Sequence, residues 1–199
     1  MIRAVLFDLD GVLVNVEEYH CRALSGALAA YGYPSVGIDF YRSHLHRYAT
    51  TVKLDILNVR RPDRSYIHVL KDVLFSRLIQ SHFVPEAHVV AALKAVSPDG
   101  RKMIGVVSNG ARESVAAVLS TFAPYAFTGW VYGTETLRKP APDIYLLMAR
   151  KLGVDPTECV AVEDRDDGIA AARAAGMRVV VVTGPQDVTV ERMQTEGLV

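Results

Sequence analysis

Short apolar runs and helical patterns alternate along most of this 199-residue chain. The first run, Ala4-Val5-Leu6-Phe7, breaks at Asp8-Leu9-Asp10-Gly11. An apolar run closed by a carboxylate and a glycine predicts a buried parallel strand feeding a turn. Residues 16–31 then place Tyr19, Ala23, Leu24, Ala27, Leu28 and Tyr31 at helical spacing, and the pattern stops at Gly32-Tyr33-Pro34. Further helical stretches are predicted near 38–47, 49–58 and 63–81. Because no β-rich run interrupts residues 16–82, the pattern predicts a small helical domain over 15–84, inserted after the first strand. Tyr41, Leu45, Tyr48, Leu54, Ile56, Leu57, Val69, Leu70, Val73, Leu74 and Leu78 have the spacing expected of its core.

The alternation resumes at residue 85. Pro85 is expected to open a helix through Val96, and Ser97-Pro98-Asp99-Gly100 is a turn before a strand over 102–107. A helix at 111–121, a strand near 130–132, a helix at 142–152, a strand at 159–162, a helix at 167–175 and a strand at 178–182 follow, with a last helix within 186–197. Alternating β and α of this kind predicts a parallel sheet covered on both faces, so the fold class is α/β, with segments 1–14 and 85–199 forming its core domain. Asp167 and Asp143 are read as caps of the helices that follow them.

Half of the residues are apolar, which suits one core domain plus an insertion. Lys and Arg number 22, as do Asp and Glu, so the net charge is zero. No general field attracts nucleic acid or an anionic membrane, and no basic run would act locally. Cys21 and Cys159 fall in a predicted helix and a predicted interior strand, which argues against a disulfide framework and for a reducing cytoplasm. Only Arg3 precedes the first apolar run, and that run is short, so the N-terminus reads as neither signal peptide nor membrane span. A soluble, cytoplasmic monomer is expected.

Four apolar runs exit into polar residues suited to a phosphoryl group: Asp8-Leu9-Asp10-Gly11, Ser108-Asn109-Gly110, Lys139-Pro140 and Glu163-Asp164. In an open parallel sheet the carboxyl ends of the strands share one rim, so one pocket can hold all four. Asp8 and Asp10, two apart at a strand end, can supply a nucleophile that attacks phosphorus and an acid/base that protonates the leaving oxygen and later takes a proton from water. An anion approaching an anion needs its charge neutralised, which calls for a divalent metal. Magnesium prefers a few carboxylates with phosphate oxygen and water, and Asp8, the carbonyl of Asp10 and Asp164 would supply such a set. The Ser108 hydroxyl and neighbouring backbone N–H groups can bind phosphate oxygens, and Lys139 would add a point charge. Each signal is weak singly; their conjunction in order, each on a strand exit, is specific.

The runs Val5-Leu6-Phe7-Asp8-Leu9-Asp10-Gly11-Val12-Leu13, Val107-Ser108-Asn109-Gly110, Lys139-Pro140-Ala141-Pro142-Asp143-Ile144-Tyr145 and Val162-Glu163-Asp164 resemble the four motifs of the haloacid dehalogenase-like (HAD) superfamily. The run Gly168-Ile169-Ala170-Ala171-Ala172-Arg173-Ala174-Ala175-Gly176-Met177 resembles its phosphatase and β-phosphoglucomutase branch. The resemblance implies a Rossmann-like core with an inserted α-helical cap of the C1 type. Carried over by residue, it implies Asp8 as nucleophile, Asp10 as acid/base, Ser108, Asn109 and Lys139 as phosphate binders, and a Mg²⁺ site of Asp8, Asp10 and Asp164. Glu163 would be a ligand or a group behind the ligands. The dehalogenases of the superfamily lack the second aspartate, so Asp10 favours phosphorus substrates.

The sequence also departs from the family. Asn15 replaces a common Asp, Arg165 replaces a small Ser, and the segment 43–51 lacks a usual glycine. Arg165 is read as a surface arginine paired with Asp166 or Asp167 rather than a substrate contact. Glu17 and Glu18 are read as a solvated helix face, and His44 and His46 as ordinary cap residues rather than a metal site. His20 and Arg47 are the candidates for substrate contact. The leading expectation is a Mg²⁺-dependent phosphatase that hydrolyses a small phosphomonoester through an aspartyl phosphate. A β-phosphoglucomutase-like phosphomutase and a non-catalytic HAD-fold binding protein are the alternatives. A receiver domain is set aside because it carries no inserted segment of about 70 residues.

Overall fold

The central strands of the sheet are nearly continuous apolar runs because both of their faces are covered, while the two edge strands are partly exposed. The structure, a computed structural model, describes residues 1–122 and 127–199. Strand β1 (Ala4–Phe7) is followed by α1 (Glu17–Ala30), α2 (Ile38–Phe40, running on into a π-helical turn at Tyr41–Leu45), α3 (Thr50–Ile56), α4 (Arg61–His82) and α5 (Ala87–Val96). Then come β2 (Met103–Ser108), α6 (Arg112–Leu119), β3 (Gly129–Tyr132), α7 (Asp143–Leu152), β4 (Cys159–Glu163), α8 (Asp166–Ala174), β5 (Arg178–Val181) and α9 (Val190–Thr195). The strands form one parallel sheet in the order β3-β2-β1-β4-β5. These elements define a Rossmann-like α/β fold.

The described residues divide into two compact units, Met1–Asn15 with Val84–Val199, and Val16–Phe83. In the first unit the central strand β1 is wholly buried. On one face Leu6, Val107, Val131 and Ala161 pack with Ile144, Tyr145 and Met148 of α7 and with Ala171 and Ala172 of α8. Phe7 stands in register with Val106 on one side and Val162 on the other. Asp8 therefore leaves the sheet level with the ends of β2 and β4. Its N–H still donates to Val162 O at 3.0 Å, so the first catalytic-type side chain sits on the last rung of the ladder.

The second unit is all helical, with a core of Leu24, Ala27, Leu28, Tyr41, Leu45, Leu54, Val59 and Ile67. Four residues expected in that core are exposed: Tyr48, Ile56, Val69 and Val73. In α4 the buried positions are Ile67, Lys71, Phe75 and Ile79, spaced by four. Val69 and Val73 lie two residues off that row, roughly 200° around the helix, and so face outward. Tyr48 lies beyond the end of the π-helical turn, and Ile56 is the last residue of α3. Two lysines take inward places instead. Lys53 donates to the Tyr41 hydroxyl and lies 4.5 Å from its ring centroid, while Lys71 pairs with Asp72 at 2.9 Å and lies 5.4 Å from the Phe75 ring. An apolar stem with its cation against an aromatic face is compatible with such burial.

Helix starts also shift. The helix after Pro85 begins at Ala87, and residues 38–47 are a short α-helix with a π-helical turn rather than one helix. Helix α8 begins at Asp166 with Arg165 as N-cap, and α7 begins at Asp143 with Pro142 as N-cap; neither side chain caps its helix by a hydrogen bond. Asp167 and Asp143 are thus first-turn acids rather than caps, where they favour the helix through its dipole. The stretch expected to end the chain as one helix is a 3₁₀ turn at Pro185–Asp187 followed by the shorter α9. Cys21 and Cys159 are free and buried, and no helix of the described residues is long and apolar enough to cross a membrane.

The row of buried positions on α4 has a measurable consequence. Phe75→Ala is expected to lower unfolding stability by about 3–5 kcal/mol, whereas Val69→Thr should stay within about 0.5 kcal/mol of the parent. Chemical denaturation of the two variants beside the parent protein checks this.

Candidate active site

Lys139 is the centre of the strand-end cluster. It follows β3 by a loop, and its peptide to Pro140 is cis. Its position is fixed from the backbone by Asn109, whose side-chain Oδ1 accepts from Lys139 N at 3.0 Å while Nδ2 donates to Lys139 O at 3.3 Å. The oxygen and the nitrogen of the Asn109 amide are thus both engaged by the backbone of Lys139. The Ser108 side chain is buried at the end of β2, and its Oγ accepts from Gly110 N at 3.0 Å.

An ammonium has three donors, and those of Lys139 have three acceptors: a carboxylate oxygen of Asp8, Glu163 Oε1 at 2.5 Å and the Val107 carbonyl at 2.8 Å. Glu163, 1% exposed, also accepts from the Tyr145 hydroxyl at 2.6 Å through Oε1 and from Asp164 N at 3.2 Å through Oε2. Tyr145 lies inside the third motif, and the sequence alone assigns it no role. Its partner is 18 residues away on another element, so spacing carries no signal of the pair.

Asp8, Glu163 and Asp164 each present an oxygen within 4.8 Å of the others. Two glycines make this approach possible. Gly11 has φ +94°, and a Cβ there would lie 2.1 Å from Asp164 Oδ2; a Cβ at Gly168 would lie 2.0 Å from Glu163 Oε1. Neither position tolerates a side chain without displacing a carboxylate. Asp10 stands on the exposed side of the turn, bridged to Val14, and its carboxylate lies outside the group of three.

The electrostatics follow from burial. Burial pushes the Asp8 carboxyl well above the usual carboxylate range, against the pull of Lys139, and the Glu163 and Asp10 carboxylates add to the push. Burial alone would push the Lys139 ammonium down, but Asp8, Tyr145 and Glu163 outweigh it and hold Lys139 well above its ordinary value. Asp164 is pushed up to about 6, first by burial and then by Glu163. Three carboxylates thus share one ammonium, a surplus of negative charge that a divalent cation would offset. Asp164 Oδ1 is buried with no hydrogen-bond partner, an orphaned acceptor of the kind a metal ligand presents. The hard oxygen donor set of Asp8 and Asp164 fits Mg²⁺.

The remaining candidates divide between the two units. His20 stacks on Phe75 with ring centroids 4.0 Å apart, and Arg47 is exposed; both belong to the helical unit. His44 stacks on Phe40, and His46 faces Glu17 at 3.6 Å, neither in a metal cluster among the described residues. Glu17 also pairs with Arg42 at 3.0 Å and is half-buried, a departure from the solvated face expected for it. Arg165 pairs with Asp167 at 3.4 Å.

Residues 2–176 match the family described as haloacid dehalogenase-like hydrolase. The chain is 30% identical to the fructose-1-phosphate phosphatase YqaB of Escherichia coli K12, over 89% of this chain and 95% of that one. It is 31% identical to protein CbbY of Rhodobacter capsulatus, over 90% of this chain and 85% of that one. The structure superimposes with a TM-score of 0.78 on a variant of CbbY from Rhodobacter sphaeroides in complex with xylulose-(1,5)bisphosphate, at 27% identity and covering 92% and 87% of the two chains. The fold and the strand-end cluster define a Rossmann-like hydrolase. The chain belongs to the haloacid dehalogenase-like hydrolases, in their phosphatase and β-phosphoglucomutase-like branch.

The raised Asp164 carboxyl sets a pH dependence. Between about pH 4 and 6 the folded protein holds a proton there that the unfolded chain has lost, so Asp164 costs stability as pH rises through that window. Metal-free Asp164→Asn is therefore expected to melt above the parent at pH 7.5, with the advantage gone below about pH 4. Saturating Mg²⁺ should raise the parent's melting temperature and not the variant's. Thermal unfolding across pH, with chelator and with Mg²⁺, reads both.

Proposed function

We propose that the chain is a Mg²⁺-dependent phosphatase that hydrolyses a small phosphomonoester, of the phosphorylated-carbohydrate class, through an aspartyl phosphate on Asp8. The observation that supports it most directly is Lys139, buried at the rim and bound at once to Asp8 and Glu163. An ammonium held there lies beside the nucleophile and can stabilise charge on a transferring phosphoryl group. The sugar-phosphate class rests on the likeness to YqaB, CbbY and the CbbY complex.

In this reading an oxygen of Asp8 attacks phosphorus, the bond from phosphorus to the ester oxygen breaks, and Asp10 gives its proton to the departing alcohol. Asp10 then takes a proton from water as the water oxygen attacks phosphorus; the bond to Asp8 breaks and inorganic phosphate leaves. Ser108 Oγ, the Asn109 main-chain N–H and Lys139 hold the phosphoryl oxygens. Asp8, the Asp10 carbonyl and Asp164 would hold Mg²⁺, which when bound neutralises the charge between nucleophile and phosphate. Glu163 is assigned behind these ligands, since its oxygens already accept from Lys139, Tyr145 and Asp164 N. The exposed position of Asp10 suits an acid/base that must meet both alcohol and water. The inserted helical unit is assigned the cap role, with His20 and Arg47 as its candidates for substrate contact.

Asp8→Asn tests the reading. Phosphate release from a panel of sugar, nucleotide and short organic-acid phosphates is expected to require Mg²⁺, to stop with chelator, and to fall at least about 10³-fold in the variant. Appreciable turnover by Asp8→Asn would remove Asp8 as nucleophile, and isomerisation of a sugar phosphate without net release would replace hydrolysis with a mutase reaction.

A further inference from the structure

We propose that Tyr145 is a positioning residue: by donating to Glu163 Oε1 it fixes the carboxylate that holds the Lys139 ammonium against Asp8. Glu163 Oε1 accepts from both Tyr145 and Lys139, at 2.6 and 2.5 Å, so the phenol and the ammonium converge on one oxygen. The carboxylate has little freedom elsewhere, because Oε2 accepts from Asp164 N and the Cα of Gly168 closes the space beside it. Among the described residues the Tyr145 hydroxyl and the Lys139 ammonium are the side-chain donors to Glu163. The Tyr145 ring adds a second contact, with Lys139 Nζ 5.2 Å from its centroid.

Tyr145 is suited to this place by chemistry as well as geometry. It is wholly buried among Ile144, Met148 and the strand residues of the sheet core, so its hydroxyl has no solvent to turn toward. Burial holds its pKa well above the ordinary phenol value, against Lys139, and the Glu163 carboxylate adds to the rise. It therefore remains a donor throughout the neutral range. A buried core aromatic with this one polar partner ties the packing of α7 to the orientation of Lys139. When Lys139 turns one N–H toward a phosphoryl oxygen, as the phosphatase reading requires, the phenol keeps Glu163 supplied with a donor and in place.

Tyr145→Phe removes the hydroxyl and keeps the ring. The first readout is the ¹⁵N–¹H signal of the Lys139 ammonium in the full-length, metal-free protein, assigned by its loss in Lys139→Met. Tyr145→Phe is expected to speed exchange of those protons with water at least about tenfold, the factor that removal of one hydrogen bond to a charged group implies. Exchange at the parental rate, whatever the melting temperature, would make the phenol a packing group only and overturn the proposal. If Tyr145→Phe does not fold, Glu163→Gln, which leaves Tyr145 in place, must speed the same exchange, and an unchanged rate there overturns the proposal equally. The consequence for turnover rests on the phosphatase reading: kcat/KM should fall about tenfold in Tyr145→Phe but less than about twofold when the change is made in Glu163→Gln. Additive losses would refute the shared route through Glu163. A parent that releases no phosphate would defeat the phosphatase reading alone, because the ammonium measurement needs no turnover.

Discussion

A lysine ammonium taken out of water must be met by acceptors on every side, and in this protein that demand organises the ends of three strands. Lys139 finds one acceptor at the exit of β1, one at the exit of β4 and one in the backbone of β2. The desolvation cost of such a charge is several kcal/mol, so none of the three can be removed without leaving the others badly matched. The order β3-β2-β1-β4-β5 makes this possible, since β2 and β4 flank β1 and bring their ends level with Asp8. Sheet topology and site electrostatics are therefore one constraint.

The same constraint explains which small residues surround the cluster. Carboxylates can converge on one ammonium only if nothing occupies the space between them and the backbone behind them. Gly11 and Gly168 leave that space, one facing Asp164 and the other Glu163. Burial raises the Asp8 and Asp164 carboxyls, and the negative charge that the convergence gathers around them adds to the rise. In the proposed reading a bound cation would offset that charge on the aspartate side, while the lysine would meet the phosphoryl oxygens.

The strand exits were legible in the sequence because a parallel sheet buried on both faces demands continuous apolar runs, and each run here ends abruptly in polar residues. Asp8, Ser108, Lys139, Glu163 and Asp164 are brought to one rim for that reason. The helical unit was less legible. Helix α4 carries apolar residues on two faces, and periodicity could not say whether Val69 and Val73 or Ile67 and Phe75 pointed inward. Lys53 and Lys71 reversed the usual rule outright, since their inward places depend on Tyr41 and Phe75 rather than on their own type. The bonds of the Asn109 amide to Lys139 were hidden for a related reason: they join residues 30 apart, which no local pattern encodes.

What remained hidden has a common character. Tyr145, the Asn109 side chain and the Val107 carbonyl all act on Lys139 rather than on a ligand, and each is reached only through the fold. A motif marks residues whose chemistry needs a particular side chain at a particular strand end. It does not mark those that hold that side chain still, because a tyrosine or an asparagine at such a position serves packing in most chains and positioning in few. In this chain the supporting groups come from the core itself: Tyr145 belongs to the apolar layer that packs α7 on the sheet, and its single polar atom faces the site. Rigidity of the core is thereby transmitted to the ammonium through Glu163 Oε1, which accepts from both the phenol and the ammonium, so the precision of the cluster depends on packing as much as on charge.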